Sequence, residues 1–277
     1  MIVIPFFRFS RHQNKILINK TLQAELVQVQ NWLCANKLSL HVGNTASMLL
    51  CSHQKRRHLQ NQHLSLNVQN EEIGQVEGLK YLGVHIDQHL NFNQHIEDVC
   101  KKLRRALGIL RRASPFINQA TRVTLYNTLM LPHFDYCCTV WGSAITRSNL
   151  HQLQIIQNCA MRIILNCDSR THIDDMLKDL HWLNVEKRLL YNMSVLVWKC
   201  NAKQVPPYLH NVFIPQQSVH RYSTRSSSQS AFATVPSHRQ SLLLNGTKVW
   251  NTMPCDIRNQ TSINVFKQDL HNHLLTV

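Results

Sequence analysis

From Leu22 the apolar positions Leu22, Leu26, Val29 and Leu33 step by 4, 3 and 4, the spacing of one helix face, and Thr21 is placed to cap its start. The helix is expected to end near Asn36-Lys37. Leu38, Leu40 and Val42 then alternate as a strand, Ser47 to His53 is a short apolar run, and Leu64, Leu66 and Val68 alternate again. Glu71 to Asp87 has the pattern of a hairpin, with Ile73 and Val76 on one arm, a Glu77-Gly78 turn, and Leu79 to Asp87 as the other arm. After Asn91 the period changes. Phe92, Ile96, Val99, Leu103, Leu107 and Leu110 step by 4, 3, 4, 4 and 3, and Ser114-Pro115 ends that helix. A second helix is predicted from about Gln119 to Met130, before Pro132. A third starts at Ser148, with Leu150, Leu153, Ile156, Ala160 and Ile163 inward. Asn184 caps a fourth, with Glu186 in its first turn, running through Leu189, Met193, Leu196 and Cys200 until Pro206-Pro207 breaks the pattern. Residues 216–241, rich in Ser, Gln and Arg and without periodicity, are expected to be a linker. A last amphipathic helix follows Ser262 on Ile263, Phe266 and Leu270.

These elements predict an α+β chain. A small mixed α/β part with a β-hairpin covers 1–90, basic helices 91–147, a helical region 148–215, a linker 216–241 and a terminal amphipathic segment 242–277. With 277 residues and 44% hydrophobic content the chain can bury a core, and 7 Gly and 8 Pro are too few for a fibrous or low-complexity sequence. No stretch nears the roughly 18 apolar residues that span a bilayer. The apolar start, Met1 to Phe7, has neither a basic segment before it nor a small-residue cleavage site after it, and suggests a strand or an irregular beginning. The expectation is an intracellular protein, cytoplasmic or nuclear and not secreted, with reduced thiols.

Charge adds an address. The formal net charge is +15, from 30 Lys and Arg against 15 Asp and Glu. Residues 101–150 hold eight basic residues and a single acid, Asp135, centred on Lys101, Lys102, Arg104, Arg105, Arg111, Arg112 and Arg122. Six basic residues fall within 101–112 with no acidic one, more than solubility requires. Opposite an apolar face, such a row suits a phosphate backbone, which it would grip without reading base sequence. A merely soluble helix face is the plainer alternative.

The remaining chemistry is sparse. Of nine Cys, seven stand apart and Cys137-Cys138 are adjacent, so their side chains diverge instead of gripping one ion, and His271-x-His273 lacks partners. Asp174-Asp175 is one adjacent acid pair, but acids at a helix N-terminus have a simple electrostatic reason to be there. Glu71-Glu72 suits a solvated turn. No Gly-rich phosphate loop, Gly-x-Ser-x-Gly or His-Glu-x-x-His occurs.

Several short motifs occur together. Trp32 to Thr45, Leu79-Lys80-Tyr81-Leu82-Gly83-Val84-His85-Ile86-Asp87 and Leu90 to Ile96 come first. Asp135-Tyr136-Cys-Cys-Thr-Val-Trp141-Gly142 and Leu153-Gln154-x-x-Gln157-Asn158-x-Ala160-x-Arg162 follow. Pro207-Tyr208-Leu209, Val249-Trp250-Asn251-x-Met-Pro254-x-x-Ile257-Arg258 and Phe266-Lys267 complete the set. In this order they resemble the reverse transcriptases of non-LTR (LINE-type, jockey-like) retrotransposons, over nearly the whole chain from about residue 20. The resemblance implies that Trp32 to about Met48 matches the end of the palm subdomain. It implies that Tyr81, Leu82 and Gly83 lie in the primer grip. The basic helix would then begin the thumb that clamps a template–primer duplex. The implied partner is an RNA/DNA primer–template duplex held by its backbone, with no membrane involved.

The departures from the family pattern carry as much weight. Its Tyr/Phe-Ala-Asp-Asp motif precedes the segment resembling Trp32, and none is present in residues 1–20. Asp174-Asp175 follows the primer grip and thumb instead of preceding them. Where the family usually has Lys before the Thr at position 45, this chain has Asn44. No catalytic or metal-binding residue is therefore assigned, and Mg²⁺ is implied only for the intact family enzyme. The expectation is a fragment of an RNA-directed DNA polymerase that contributes primer–template binding. A nucleic-acid-binding module retained by a host, or a degraded reading frame, fits the same residues.

Overall fold

In a computed structural model the described residues are 15–50, 65–69, 71–218, 231–234 and 242–276. The chain divides into two compact units, one ending at Leu90 and one comprising Asn91–Val277.

The first unit is one helix with short strands. Helix α1 spans Lys15–Ala35, starting six residues before the predicted Thr21 cap. Ile18 lies four residues before Leu22, so the apolar register continues upstream of Thr21. Strand β1 (Ala46–Ser47) pairs in parallel with β4 (Gly74–Gln75), and β2 (Asn67–Val68) pairs antiparallel with β3 (Glu71–Glu72). The predicted strand over Leu38–Val42 does not form; Val42–Asn44 is a 3₁₀ turn. Gln23 docks α1 on β2 with both ends of its amide. Its Nε2 donates to the Asn67 carbonyl at 2.8 Å, and the Asn67 N–H donates to its Oε1 at 2.9 Å. One side chain thereby satisfies both backbone groups of an edge residue. Beside it Leu26, Leu66, Val68 and Ile73 form a small buried cluster. The expected start strand at Met1–Phe7, the end of the Ser47–His53 run and Leu64 lie outside the described residues.

The predicted hairpin forms, but in a different place. Its arms are β5 (Gly78–Tyr81) and β6 (Val84–Asp87), with Tyr81 opposite Val84. The segment Leu79–Asp87, expected to be one arm, is folded in half at Leu82-Gly83. Both residues have positive φ, 45° and 84°, the requirement of a tight two-residue turn whose twist suits a hairpin. Glycine supplies that geometry at Gly83, whereas Glu77-Gly78, the predicted turn, leads straight into β5.

The second unit is helical. Helix α2 (Asn93–Ala113) runs into a 3₁₀ turn at Ser114–Phe116. Then come α3 (Gln119–Leu129), α4 (Leu131–Asp135), α5 (Cys138–Trp141) and α6 (Arg147–Leu165). They are followed by α7 (Ile173–Leu180), α8 (Val185–Asn201), α9 (Leu242–Thr252), α10 (Cys255–Arg258) and α11 (Ile263–Thr276). All six predicted core positions of α2 with its lead-in, Phe92 to Leu110, are buried. Asn184 caps α8 as predicted, accepting from the Lys187 N–H. Helix α6 is capped by Thr146, not Ser148, because the Thr146 hydroxyl accepts from the Asn149 N–H.

Helices α2 and α6 lie side by side in the same direction. Near their N-termini Asn149 Nδ2 donates to Asn93 Oδ1 at 2.8 Å, and near their C-termini one guanidinium, Arg122, reaches Ser114, Ile163 and Ile164. Helix α6 is joined to the start of α8 by amides. Gln154 Nε2 donates to Gln157 Oε1 and Asn158 Oδ1, Gln154 Oε1 accepts the Val185 N–H, and Gln157 Nε2 donates to the Leu183 carbonyl. The Gln154/Gln157/Asn158 motif is thus a polar seam within the core. Helix α5 meets α8 at Gly142, where any Cβ would stand 2.5 Å from the Cys138 carbonyl oxygen and 3.1 Å from Leu189.

A second core cluster collects α8, α9 and α11. Phe213, Phe232, Trp250, Phe266 and Trp198 form a chain of ring contacts with centroids 5.4 to 6.1 Å apart. Phe232 lies in the stretch expected to be a linker, yet it is buried, and its backbone N–H and carbonyl are both bonded to the Asn251 side-chain amide. Residues 219–230 and 235–241 lie outside the described residues.

Gln157 is 2% exposed and bonds across to Leu183. Replacing it by Leu should lower stability by about 1–3 kcal/mol, because the Leu183 carbonyl and a Gln154 N–H lose their partner. A urea midpoint within error of wild type would show that the amide seam contributes nothing net.

Candidate nucleic-acid interface

Helix α2 sorts its residues by chemistry. Ile96, Val99, Cys100, Leu103, Ala106, Leu107 and Leu110 are buried, while Lys101, Lys102, Arg104, Arg105, Arg111 and Arg112 are all exposed. The 21-residue helix is about 31 Å long at 1.5 Å per residue, and its cations run from Lys101, just before the midpoint, to Arg112 in the last turn. Arg111 and Arg112 occupy the last turn, where the helix dipole also favours positive charge.

The six are not equivalent. Lys101 Nζ lies 2.9 Å from Glu97 and 3.8 Å from Asp98, and the hydrogen bond to Glu97 raises its pKa. Among the described residues none of the other five makes an ion pair, so their charge is uncompensated at short range. His133, on α4, borders the same surface. Its pKa is held below the usual imidazole value by burial and then by the Lys102 charge.

Arg122, counted with the basic cluster in the sequence, is spent inside the fold. Its Nη2 and Nε donate to the Ser114 carbonyl at 2.7 and 3.1 Å, and Nη1 donates to Ile164 at 3.2 Å. It fastens the ends of α2 and α6 and satisfies carbonyls that helix termini leave open. Asp135, the only acid of this stretch, is likewise structural. Arg188 binds both its oxygens, at 2.7 and 2.6 Å, and Asn192 donates to it at 2.9 Å. Burial works against the Arg188 charge, but the carboxylate outweighs it and raises its pKa. Trp141, fully buried, donates its indole N–H to the Tyr136 carbonyl. The Asp135–Gly142 motif is therefore a packing and pairing unit.

Of the other sequence candidates, Leu82 is 71% exposed at the tip of the β5–β6 hairpin, beside Gly83. Tyr81 is the last residue of β5. These three residues belong to the first unit and the cations of α2 to the second. Asp174 and Asp175 lie exposed in the first turn of α7, with His172 3.6 Å from Asp174. Among the described residues no three His, Cys, Asp or Glu side chains are gathered as a metal site, and no helix is long and apolar enough to cross a membrane. What the sequence reading missed is Phe116, 87% exposed just beyond the last two arginines. Its signal was the Pro115-Phe116 pair following a helix whose apolar face was already complete.

No family model matches the chain, and no solved structure matches it. Among curated proteins it is 26% identical over 137 residues to a probable RNA-directed DNA polymerase from transposon X-element of Drosophila melanogaster. It is 28% identical over 126 residues to a probable RNA-directed DNA polymerase from transposon BS of the same organism. The matches cover 48% and 44% of this chain but only 14% of each relative's length. The chain is thus similar to the reverse transcriptases of non-LTR transposons, as its motifs indicate.

The geometry separates the arginines by role. Arg122→Leu should cost about 1.5–3 kcal/mol of stability, since charged hydrogen bonds to three carbonyls are lost. Replacing Arg105 alone by Gln should change stability by no more than about 0.5 kcal/mol. Denaturant titration of both variants tests the division, and equal losses would erase it.

Proposed function

We propose that this chain binds the backbone of a primer–template duplex, as the gripping part of a non-LTR retrotransposon reverse transcriptase. The observation that carries this reading is the exposed row of Lys102, Arg104, Arg105, Arg111 and Arg112, without ion-pair partners among the described residues, in a chain similar to RNA-directed DNA polymerases. Cations on one helix face complement phosphates by charge without contacting base edges, so the grip is independent of sequence. In the same reading Tyr81, Leu82 and Gly83 form a primer-grip turn whose exposed Leu82 supplies an apolar contact. Residues 1–90 correspond to the end of the palm and 91 onward to the thumb and the helices after it.

Nucleotide addition itself needs carboxylates that hold divalent ions against the reacting phosphates. These 277 residues contain no Tyr/Phe-Ala-Asp-Asp motif, and Asp174-Asp175 is the first turn of a short surface helix. The function proposed for this chain is therefore binding, without polymerisation of its own and without a bound metal.

Two measurements test this. Purified protein should bind an RNA–DNA or DNA duplex with an affinity that falls steeply with salt. Changing Arg104, Arg105, Arg111 and Arg112 to Gln should flatten the slope by up to about 3–4, one counterion per lost contact. An unchanged slope returns the row to solubility alone. Primer extension with Mg²⁺ and nucleotides should stay at background, and clear extension would refute the assignment of binding without chemistry.

A further inference from the structure

On the solvent side of α2, Lys102, Arg105, Ile109 and Arg112 step by 3, 4 and 3, and one more step of 4 reaches Phe116. These are the intervals of a single stripe on a helix. Its two apolar members stand out of the fold. Ile109 is 45% exposed and Phe116 87%, the latter the most exposed large hydrophobic residue among those described. The Phe116 ring projects from a backbone that is braced just before it. Pro115 fixes its own φ within the 3₁₀ turn, the Ser114 hydroxyl donates to the Arg111 carbonyl at 3.0 Å, and Arg122 donates twice to the Ser114 carbonyl. An exposed aromatic ring on a held backbone thus follows Arg112 by about 6 Å along the helix direction.

We propose that Phe116 is a stacking platform for an unpaired nucleobase, placed at the end of the stripe so that the strand held by Arg105 and Arg112 runs off its duplex onto the ring. The proposal rests on the duplex-binding reading above and adds a ligand feature to it, a single-stranded overhang. The chemistry is general. Every base has a π-face, and stacking on an exposed aromatic beside cations holds single strands without regard to sequence. A membrane surface is the competing use of basic and apolar residues together. A helix lying in a bilayer interface buries a wide apolar face, however, and the wide apolar face of α2 is already buried in the fold. Two apolar residues alternating with cations suit a strand of phosphates and bases instead.

The test uses the full chain and three duplexes, one blunt, one with a 3′ overhang and one with a 5′ overhang, each overhang carrying 2-aminopurine at the junction. Wild type should bind one overhang duplex about tenfold more tightly than the blunt one, with quenching of the 2-aminopurine. Phe116→Ala and Phe116→Leu should abolish preference and quench, while blunt-duplex affinity, salt slope and urea midpoint stay unchanged. Phe116→Trp should keep both. Wild-type binding of blunt and overhang duplexes with equal affinity overturns the proposal, and so does a loss in Phe116→Ala that is the same on all three duplexes. Loss of binding to phosphatidylserine vesicles in Phe116→Ala, with overhang binding intact, assigns the stripe to a membrane instead. If wild type binds no duplex at all, the duplex-binding reading fails first.

Discussion

The second unit depends on α2 burying its apolar face along α6. Seven residues of the helix from Ile96 to Leu110 are withdrawn from water together with Leu153, Ile156, Ala160 and Ile164 of α6. Burial of this kind contributes most of the favourable free energy of folding, and it leaves the helix no rotational freedom. Once that face is down, residues 101, 102, 104, 105, 111 and 112 can only point outward. The positive surface is a consequence of core packing and needs no separate device to orient it. Asn93 with Asn149 at one end, and Arg122 at the other, hold the two helices in the same direction.

Polar side chains do the work that longer strands and loops would do in a larger sheet. Gln23 pairs with both backbone groups of Asn67, and Asn251 pairs with both of Phe232. Gln154 and Gln157 meet the turn between α7 and α8. An amide carries a donor and an acceptor at the spacing of a peptide group, so it can close an edge where no neighbouring strand exists. This accounts physically for Gln154, Gln157 and Asn251, residues that the motif pattern marks but that touch no exposed surface chemistry. Asp135 with Arg188 instead joins α4 to α8 from side chain to side chain, through charge.

The elements most legible in the sequence were those with a long, regular period. Helix α2, its buried face, and the Asn184 cap of α8 follow from spacing and side-chain chemistry alone. Short elements were not legible. A two-residue strand such as Ala46–Ser47 has no period, and it exists only because Gly74–Gln75 lies beside it. The hairpin is legible as a hairpin, but its pattern predicts the turn at Glu77-Gly78, whereas the chain turns at Leu82-Gly83. A glycine permits a turn without compelling one, and pairing of Tyr81 with Val84 decided between the two. Helix α9 has no periodic signature, because Leu242, Leu243 and Leu244 run consecutively and show no face until Trp250 finds its partners.

The sequence by itself determined that the chain is α+β, that its positive charge is concentrated at 101–112, and that this charge lies opposite an apolar helix face. Those are properties of composition and period, which survive in any fold that buries the face. Tertiary structure alone decided which cations remain free. Arg122 and Arg105 are the same residue type seventeen positions apart. One is turned inward onto the carbonyls of Ser114 and Ile164, and the other is left in water. The difference lies in whether unsatisfied helix-terminal carbonyls come within reach, and no local pattern encodes that. The same holds for Phe116, which is exposed because the packing of α2 on α6 is complete before the chain reaches it.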